Sequence, residues 1–269
     1  MLSDRDLEDL NTVAMRLADA AGVEALRWFR QTGLETENKD SEGFDPVTRA
    51  DRAAEAAMRA ILGQSRAEDG IFGEEEGRSE GQSGLTWVLD PIDGTRAYIS
   101  GLPTWGILIA LDDGDRGRIG IIDQPFTGER FSGLGTETPG AKFSRAGKDC
   151  PISTRSCPNL AQATLMTTDT NLFDEDELSA FEEVRKDARL TRYGMDCYAY
   201  AMVAIGQVDL VIETGLNAYD IAAPTALIQA AGGIVTDWSG GDCRWGGQTV
   251  AAGDPRIHEE ALEILNRSA

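Results

Sequence analysis

Residues 87–96 read Trp-Val-Leu-Asp-Pro-Ile-Asp-Gly-Thr-Arg, and this run restricts the chain to few architectures. The apolar stretch carries Asp90 to the end of a strand. A Pro-Ile corner then brings Asp93 round beside it, and Gly94-Thr95 opens a helix. Two carboxylates held close together repel, and one of them tends to keep its proton. A hard divalent cation such as Mg²⁺ removes that conflict, because it prefers oxygen ligands. The N–H groups of Gly94 and Thr95 at the helix start suit a phosphate. Metal and phosphate together point to metal-assisted phosphoryl chemistry.

The net charge sharpens this reading. The 269 residues hold 46 acidic and 25 basic side chains, a formal charge of −21. Such a surface argues against nucleic acid or an anionic membrane as a partner. It also repels a phosphorylated substrate, unless bound cations invert the field locally. The first residues lack the basic and apolar regions of a signal peptide. No apolar run approaches the ~20 residues that span a bilayer. Cys150, Cys157, Cys197 and Cys243 form no CxxC pair and no zinc-like spacing. They read as reduced thiols packed as small hydrophobes in a cytoplasmic protein.

Along the chain, two textures alternate with the period of their elements. Residues 1–150 read as an α+β lobe that carries most of the acidic motifs. A first helix follows Ser3, a polar stretch from Glu35 to Asp45 reads as a loop or ragged hairpin, and a second helix starts at Pro46. Strands at 71–72, 87–90, 104–111, 118–122, 130–134 and 141–144 then complete an antiparallel meander. Residues 151–269 alternate strands and helices as an α/β lobe with some parallel pairing. No repeat and no low-complexity linker separates the lobes, so they are expected to pack closely.

Glu74, the Asp90/Asp93 pair and Asp220 all stand at the ends of apolar runs, where α/β folds gather their ligands. Taken alone, Asp220 reads first as a helix N-cap and Glu74 as part of a solvated acidic turn. A hydrogen-bonded turn explains one of Asp90 and Asp93 well and both poorly. No nucleophile with its base competes with this cluster. The single histidine, His258, falls in the C-terminal helix, where a surface position is expected. Arg155 follows Cys150 one residue too early for a cysteine-phosphatase loop. Gly147-Lys148 lacks the rest of a P-loop. The acidic turn 112–117 lacks the closing Glu of a calcium loop.

Taken in order, Gly73-Glu74-Glu75, Asp90-Pro-Ile-Asp-Gly-Thr95, Tyr219-Asp220-Ile-Ala-Ala223 and Gly232-Gly233 resemble the inositol monophosphatase superfamily over nearly the whole chain. The resemblance implies a layered αβαβα sandwich, dependence on two or three Mg²⁺ ions and a homodimer. It implies that Glu74, Asp90, Asp93, Asp220 and the main-chain carbonyl of Ile92 hold the metals, with Asp90 bridging two. Thr95, Asp51 and Glu74 would form the catalytic set. In it Thr95 orients a water and helps to deprotonate it, with Asp51 as its partner. Asp93, Gly94 and Thr95 would contact the phosphate. Pro46-Val-Thr-Arg-Ala-Asp51 matches the corresponding family run, and Lys39 would sit on a loop near the metals.

Substrate choice is written elsewhere. Ser100-Gly-Leu-Pro-Thr-Trp-Gly106 and Arg192-Tyr-Gly-Met-Asp-Cys-Tyr-Ala-Tyr200 are similar to the branch that dephosphorylates histidinol phosphate, with Met195 where that branch usually carries a second glycine. Histidinol phosphate bears an ammonium and an imidazole, and Asp196 and Glu213 would supply carboxylates to them. The alternatives are an inositol or broad sugar phosphatase, and a non-catalytic metal-binding member. In the bland readings Asp196 is an N-cap and Glu213 a surface charge.

Overall fold

The computed structural model describes residues 2–31, 36–38, 46–136, 138 and 140–268. Helix α1 (Asp4–Trp28) starts at a reciprocal cap, in which Ser3 Oγ accepts the Asp6 N–H and the Asp6 carboxylate accepts the Ser3 N–H. Strands β1 (Thr36–Asn38) and β2 (Pro46–Thr48) pair antiparallel, and α2 spans Arg49–Ser65. The second helix therefore begins three residues later than Pro46. The reason is local: the Asp51 carboxylate accepts the Thr48 N–H at 2.9 Å, which makes Thr48 the cap. Lys39 lies outside the described residues.

Next come β3 (Gly70–Gly73), β4 (Gly77–Ser79), β5 (Thr86–Asp93) and the short helix α3 (Thr95–Ile99). Strands β6 (Gly106–Asp112), β7 (Gly117–Gln124), β8 (Glu129–Leu134), β9 (Gly140–Arg145) and β10 (Lys148–Ile152) follow. Eight of these form one sheet in the order β10-β9-β8-β7-β6-β5-β3-β4, antiparallel except between β3 and β5. The meander runs one strand beyond Ser144. Ala146 and Gly147 turn the chain at φ +52° and +72°, a two-residue hairpin turn without the usual Asn-Gly or Asp-Gly signal.

The remaining elements are β11 (Thr164–Thr167), α4 (Glu175–Asp187), β12 (Leu190–Tyr193), α5 (Cys197–Ala204), β13 (Leu210–Asn217) and α6 (Ala218–Ala230). Strands β14 (Ile234–Thr236) and β15 (Gly246–Ala252) and helix α7 (Pro255–Ser268) end the chain. Five strands form the second sheet in the order β12-β11-β13-β15-β14, with β11 parallel to both neighbours.

Three apolar clusters stack these parts into five layers. Leu10, Leu17, Met58 and Leu62 of α1 and α2 pack on Trp87, Leu89 and Ile109 of the large sheet. Helices α5 and α6 fill the space between the sheets through Tyr200, Val203, Ile221 and Leu227. Helices α4 and α7 cover the small sheet through Phe181, Val184, Ile257 and Leu265. The architecture is the αβαβα sandwich. Helix α6 lies close against the large sheet because glycines face it. A Cβ on Gly120 would meet the Ala223 carbonyl oxygen at 2.3 Å.

Two expectations are corrected here. Three cysteines are buried, but Cys150 is exposed on β10. His258 is buried at 5 % exposure, with Nε2 2.8 Å from Thr236 Oγ1, because α7 turns that face onto the small sheet. Burial lowers its pKa below the ordinary value of 6.5. A depressed folded pKa means that the unfolded chain binds the proton more readily, so stability falls as pH drops below about 6.5. Because the chain has one histidine, its imidazole resonances report the shift directly. They should titrate below the free value, and His258→Gln should flatten the acid limb of the stability curve. Titration at or above the free value removes this contribution. No helix among the described residues is long and apolar enough to cross a membrane.

Candidate active site

The acidic cluster exists because β5 is irregular at its end. In an unbroken strand, residues 90 and 93 would point to opposite faces. Against β6, Asp90 pairs with Leu108 but Asp93 pairs with Gly106, so β5 carries one extra residue in between. This bulge spans Pro91 and Ile92, and Pro91 has no N–H to give the ladder. It brings both carboxylates to one side. Asp90 Oδ1 accepts the Ile92 N–H at 3.0 Å, which fixes the corner.

Helix α6 brings in the third acid. The Asn217 N–H donates to Asp220 Oδ2 at 2.6 Å, so Asn217 takes the N-cap position expected for Asp220, and Asp220 closes the capping box from the first turn. It does more than that. Asp90, Asp93 and Asp220 each offer a carboxylate oxygen within 4.8 Å of the others. Glu74 stands nearby on the turn after β3, its N–H donating to the Leu89 carbonyl at 3.2 Å. Burial, then the charges of Glu74, Asp93 and Asp220, push Asp90 well above the usual carboxylate range. Burial, then Asp196 and Asp220, do the same to Asp93. An all-oxygen donor set whose charges oppose one another fits a hard divalent metal ion.

On the other side of the corner, the Thr95 hydroxyl donates to the Ile92 carbonyl at 3.1 Å and lies 3.5 Å from Asp51 Oδ1. Asp51 is buried and accepts from Thr48 N and Oγ1 at 2.9 and 2.5 Å. Burial outweighs those bonds and raises its pKa to about 6. Gly94 precedes α3 at φ +80° and ψ +42°, with no side-chain cap. Its open side faces Asp196, where an added Cβ would sit 2.9 Å from that residue's Cβ and Cγ. Gly94→Ala is therefore expected to cost about 1–3 kcal/mol of stability, from left-handed backbone strain and the clash together. It should also slow catalysis by moving the start of α3. Denaturant melts and phosphate release measure both, and a stability loss under about 0.5 kcal/mol contradicts the prediction.

A cavity of about 250 Å³ opens beside the cluster, lined by Asp93, Asp196, Glu213 and Asp220 among others. Asp196 stands at the N-cap position of α5, yet its side chain makes no capping bond there. Its φ is +47°, and Thr104 Oγ1 donates to it at 3.3 Å. Burial raises its pKa to about 6. Glu213 is no surface charge. It is 6 % exposed and accepts from Thr168 N (2.9 Å), Thr168 Oγ1 (2.5 Å) and Tyr200 Oη (2.6 Å). Burial raises its pKa to about 7, and the hydrogen bonds only partly offset this. Met195 packs against the core between the sheets and is not part of the cavity wall. Trp105 and Tyr200 are buried in the core, and Tyr198 donates to Glu129 at 2.7 Å.

Sequence reasoning missed Thr168, Asp169, Leu172 and Phe173 of the cavity wall and the buried Glu55 behind Glu74. The wall residues belong to an irregular segment after β11 with no motif to mark them. Glu55 had one signal, its position one helical turn after Asp51.

A model of the inositol monophosphatase family matches residues 6–269. The chain belongs to that family. Within it, the protein is 43 % identical to the chloroplastic bifunctional phosphatase IMPL2 of Arabidopsis thaliana, over 98 % of this chain and 77 % of that protein. It is 34 % identical to the histidinol-phosphatase of Streptomyces coelicolor, over 97 % of this chain and 98 % of that one. The solved inositol monophosphatase of Zymomonas mobilis superposes with a TM-score of 0.84 at 44 % identity, covering 96 % of this chain and 98 % of the other. This inositol monophosphatase family member is a phosphatase of a metal-dependent family, and its acidic cluster fits a metal site.

Proposed function

We propose that the protein hydrolyses histidinol phosphate to histidinol and phosphate, with Mg²⁺ as its metal. The observation that carries this reading is a pair of acids, the half-buried Asp196 and the buried Glu213, in the wall of a cavity that opens on Asp93 and Asp220. The cavity's volume of about 250 Å³ suits a small metabolite. A substrate with an ammonium and an imidazolium at one end and a phosphate at the other matches acids at both ends, provided cations occupy one of them.

Asp90, Asp93 and Asp220, with Glu74 and the Ile92 carbonyl, would hold the metal. When bound, Mg²⁺ neutralises phosphoryl charge and lowers the pKa of the attacking water. The remaining work falls to the chain. The Gly94 and Thr95 N–H groups have no intrahelical acceptor and hold phosphoryl oxygens. The Thr95 hydroxyl orients the attacking water, and Asp51, with a pKa near 6, takes up the proton at neutral pH. Asp196 and Glu213 hold the cationic end of the substrate. Burial opposes the charge of both acids, and a cationic substrate end offsets that cost whereas a neutral polyol does not.

A phosphate-release panel in Mg²⁺ tests the proposal, with histidinol phosphate, inositol 1-phosphate, sugar phosphates and nucleotides compared by kcat/KM. Histidinol phosphate should lead the panel by at least about tenfold, or about 1.4 kcal/mol. A preference for inositol phosphate overturns the substrate and leaves the hydrolytic reading intact.

A further inference from the structure

Glu55 is a fully buried acid for which the reaction above has no use, at 0 % exposure on α2. It lies one helical turn after Asp51, so both face the large sheet. Its two oxygens reach across to the turn that carries Glu74. Oε2 accepts the Glu75 N–H at 2.7 Å and Oε1 accepts the Glu76 N–H at 3.0 Å. Two successive N–H groups converging on one carboxylate form a tight anion-holding turn. Arg59 Nε donates to Oε1 at 2.7 Å and pairs a guanidinium with this buried carboxyl group. Through its Nη2, Arg59 also donates to the Gly77 carbonyl, at the far end of the same turn.

The neighbouring backbone is shaped around this carboxylate. A Cβ on Gly73 would lie 2.2 Å from Glu55 Oε1, so only glycine lets β3 pass so close. On the other flank, the Glu74 N–H is tied to the Leu89 carbonyl of β5, next to Asp90. The turn is thus suspended between β5 and α2, and Glu74 is the residue between the two anchors. Its carboxylate is among those that oppose the charge of Asp90.

We propose that Glu55 is a positioning residue for Glu74 and through it sets the affinity of the acidic cluster for Mg²⁺. The inference rests on the reading of Glu74 as a residue that holds metal. Helix α2 then serves the site twice, with Asp51 beside Thr95 and Glu55 beneath Glu74. Glu55→Gln keeps the shape but turns an amide donor toward one of the two backbone N–H groups, which loosens the turn.

Calorimetric titration of the full chain with Mg²⁺ alone tests this, on the wild type, Glu55→Gln, Glu74→Gln and the double variant. Glu55→Gln should weaken Mg²⁺ binding about 10–100-fold, the usual effect of losing a ligand's support. In the Glu74→Gln background the same exchange should change it less than about twofold, because the two effects share one route. A purely structural role would give the same loss in both backgrounds. Unchanged affinity in Glu55→Gln, or an equal loss in both backgrounds, overturns the inference alone. A wild type that binds no Mg²⁺ overturns the metal reading itself. If circular dichroism shows Glu55→Gln unfolded, Glu55→Asp, charged but one methylene shorter, is titrated against the same criteria.

Discussion

Asp93→Asn should abolish phosphate release while leaving the metal-free fold as stable as before, or more so. The stability half follows from the charges. Burial, Asp196 and Asp220 all oppose ionisation of Asp93. An asparagine removes that repulsion, keeps the volume and still accepts the Cys197 N–H that now reaches Asp93 Oδ2 at 2.7 Å. The activity half follows from the cluster. Removing one of three converging carboxylates takes away several kcal/mol of the interaction that holds charge against the phosphoryl group, so a loss of about 10³-fold or more is expected. Thermal melts with and without Mg²⁺ separate the two effects. Mg²⁺ should raise the wild-type midpoint by mass action and raise the variant's far less. Activity within about tenfold of wild type would take Asp93 out of the metal site.

Glu213→Gln should change the choice of substrate rather than the chemistry. For histidinol phosphate, kcat/KM is expected to fall about 30- to 1,000-fold, the range for removing one partner of a desolvated charge pair. For an inositol or sugar phosphate it should stay within about threefold, since neither carries a cation for Glu213 to hold. Stability should not suffer, because the glutamine oxygen still accepts from Thr168 and the Tyr200 hydroxyl can turn to accept from the amide. Parallel measurement on both substrates makes the ratio the result. An equal loss on both would assign Glu213 to the scaffold and remove the main support for a cationic substrate.

How much of this was legible beforehand differs from residue to residue. The reciprocal cap at Ser3 and Asp6 was readable, because a cap is chemistry between neighbours in sequence. The second helix start was misplaced at Pro46, since the Thr48–Asp51 cap and the β1–β2 ladder compete for the same three residues. His258 was misjudged because α7 alone does not say which face meets the small sheet. Asp220 was read first as an N-cap, but Asn217 holds that position and Asp220 braces it from the first turn while standing with Asp90 and Asp93.

The sequence by itself determined that two carboxylates, a corner and a helix start would stand together at Asp90-Pro-Ile-Asp-Gly-Thr95. That follows because the whole unit lies within six residues and is built by local geometry. Only the tertiary structure decided what those carboxylates face. Asp220 arrives with α6, Glu55 from α2 holds the backbone of Glu75 and Glu76 next to Glu74, and Asp196 fills the space that Gly94 leaves open. Each of those approaches joins residues far apart in the chain. They depend on glycines that let layers close to contact and on the burial that raises Asp51, Asp196 and Glu213. Burial is a property of the packed layers, so no local pattern of residues could announce it.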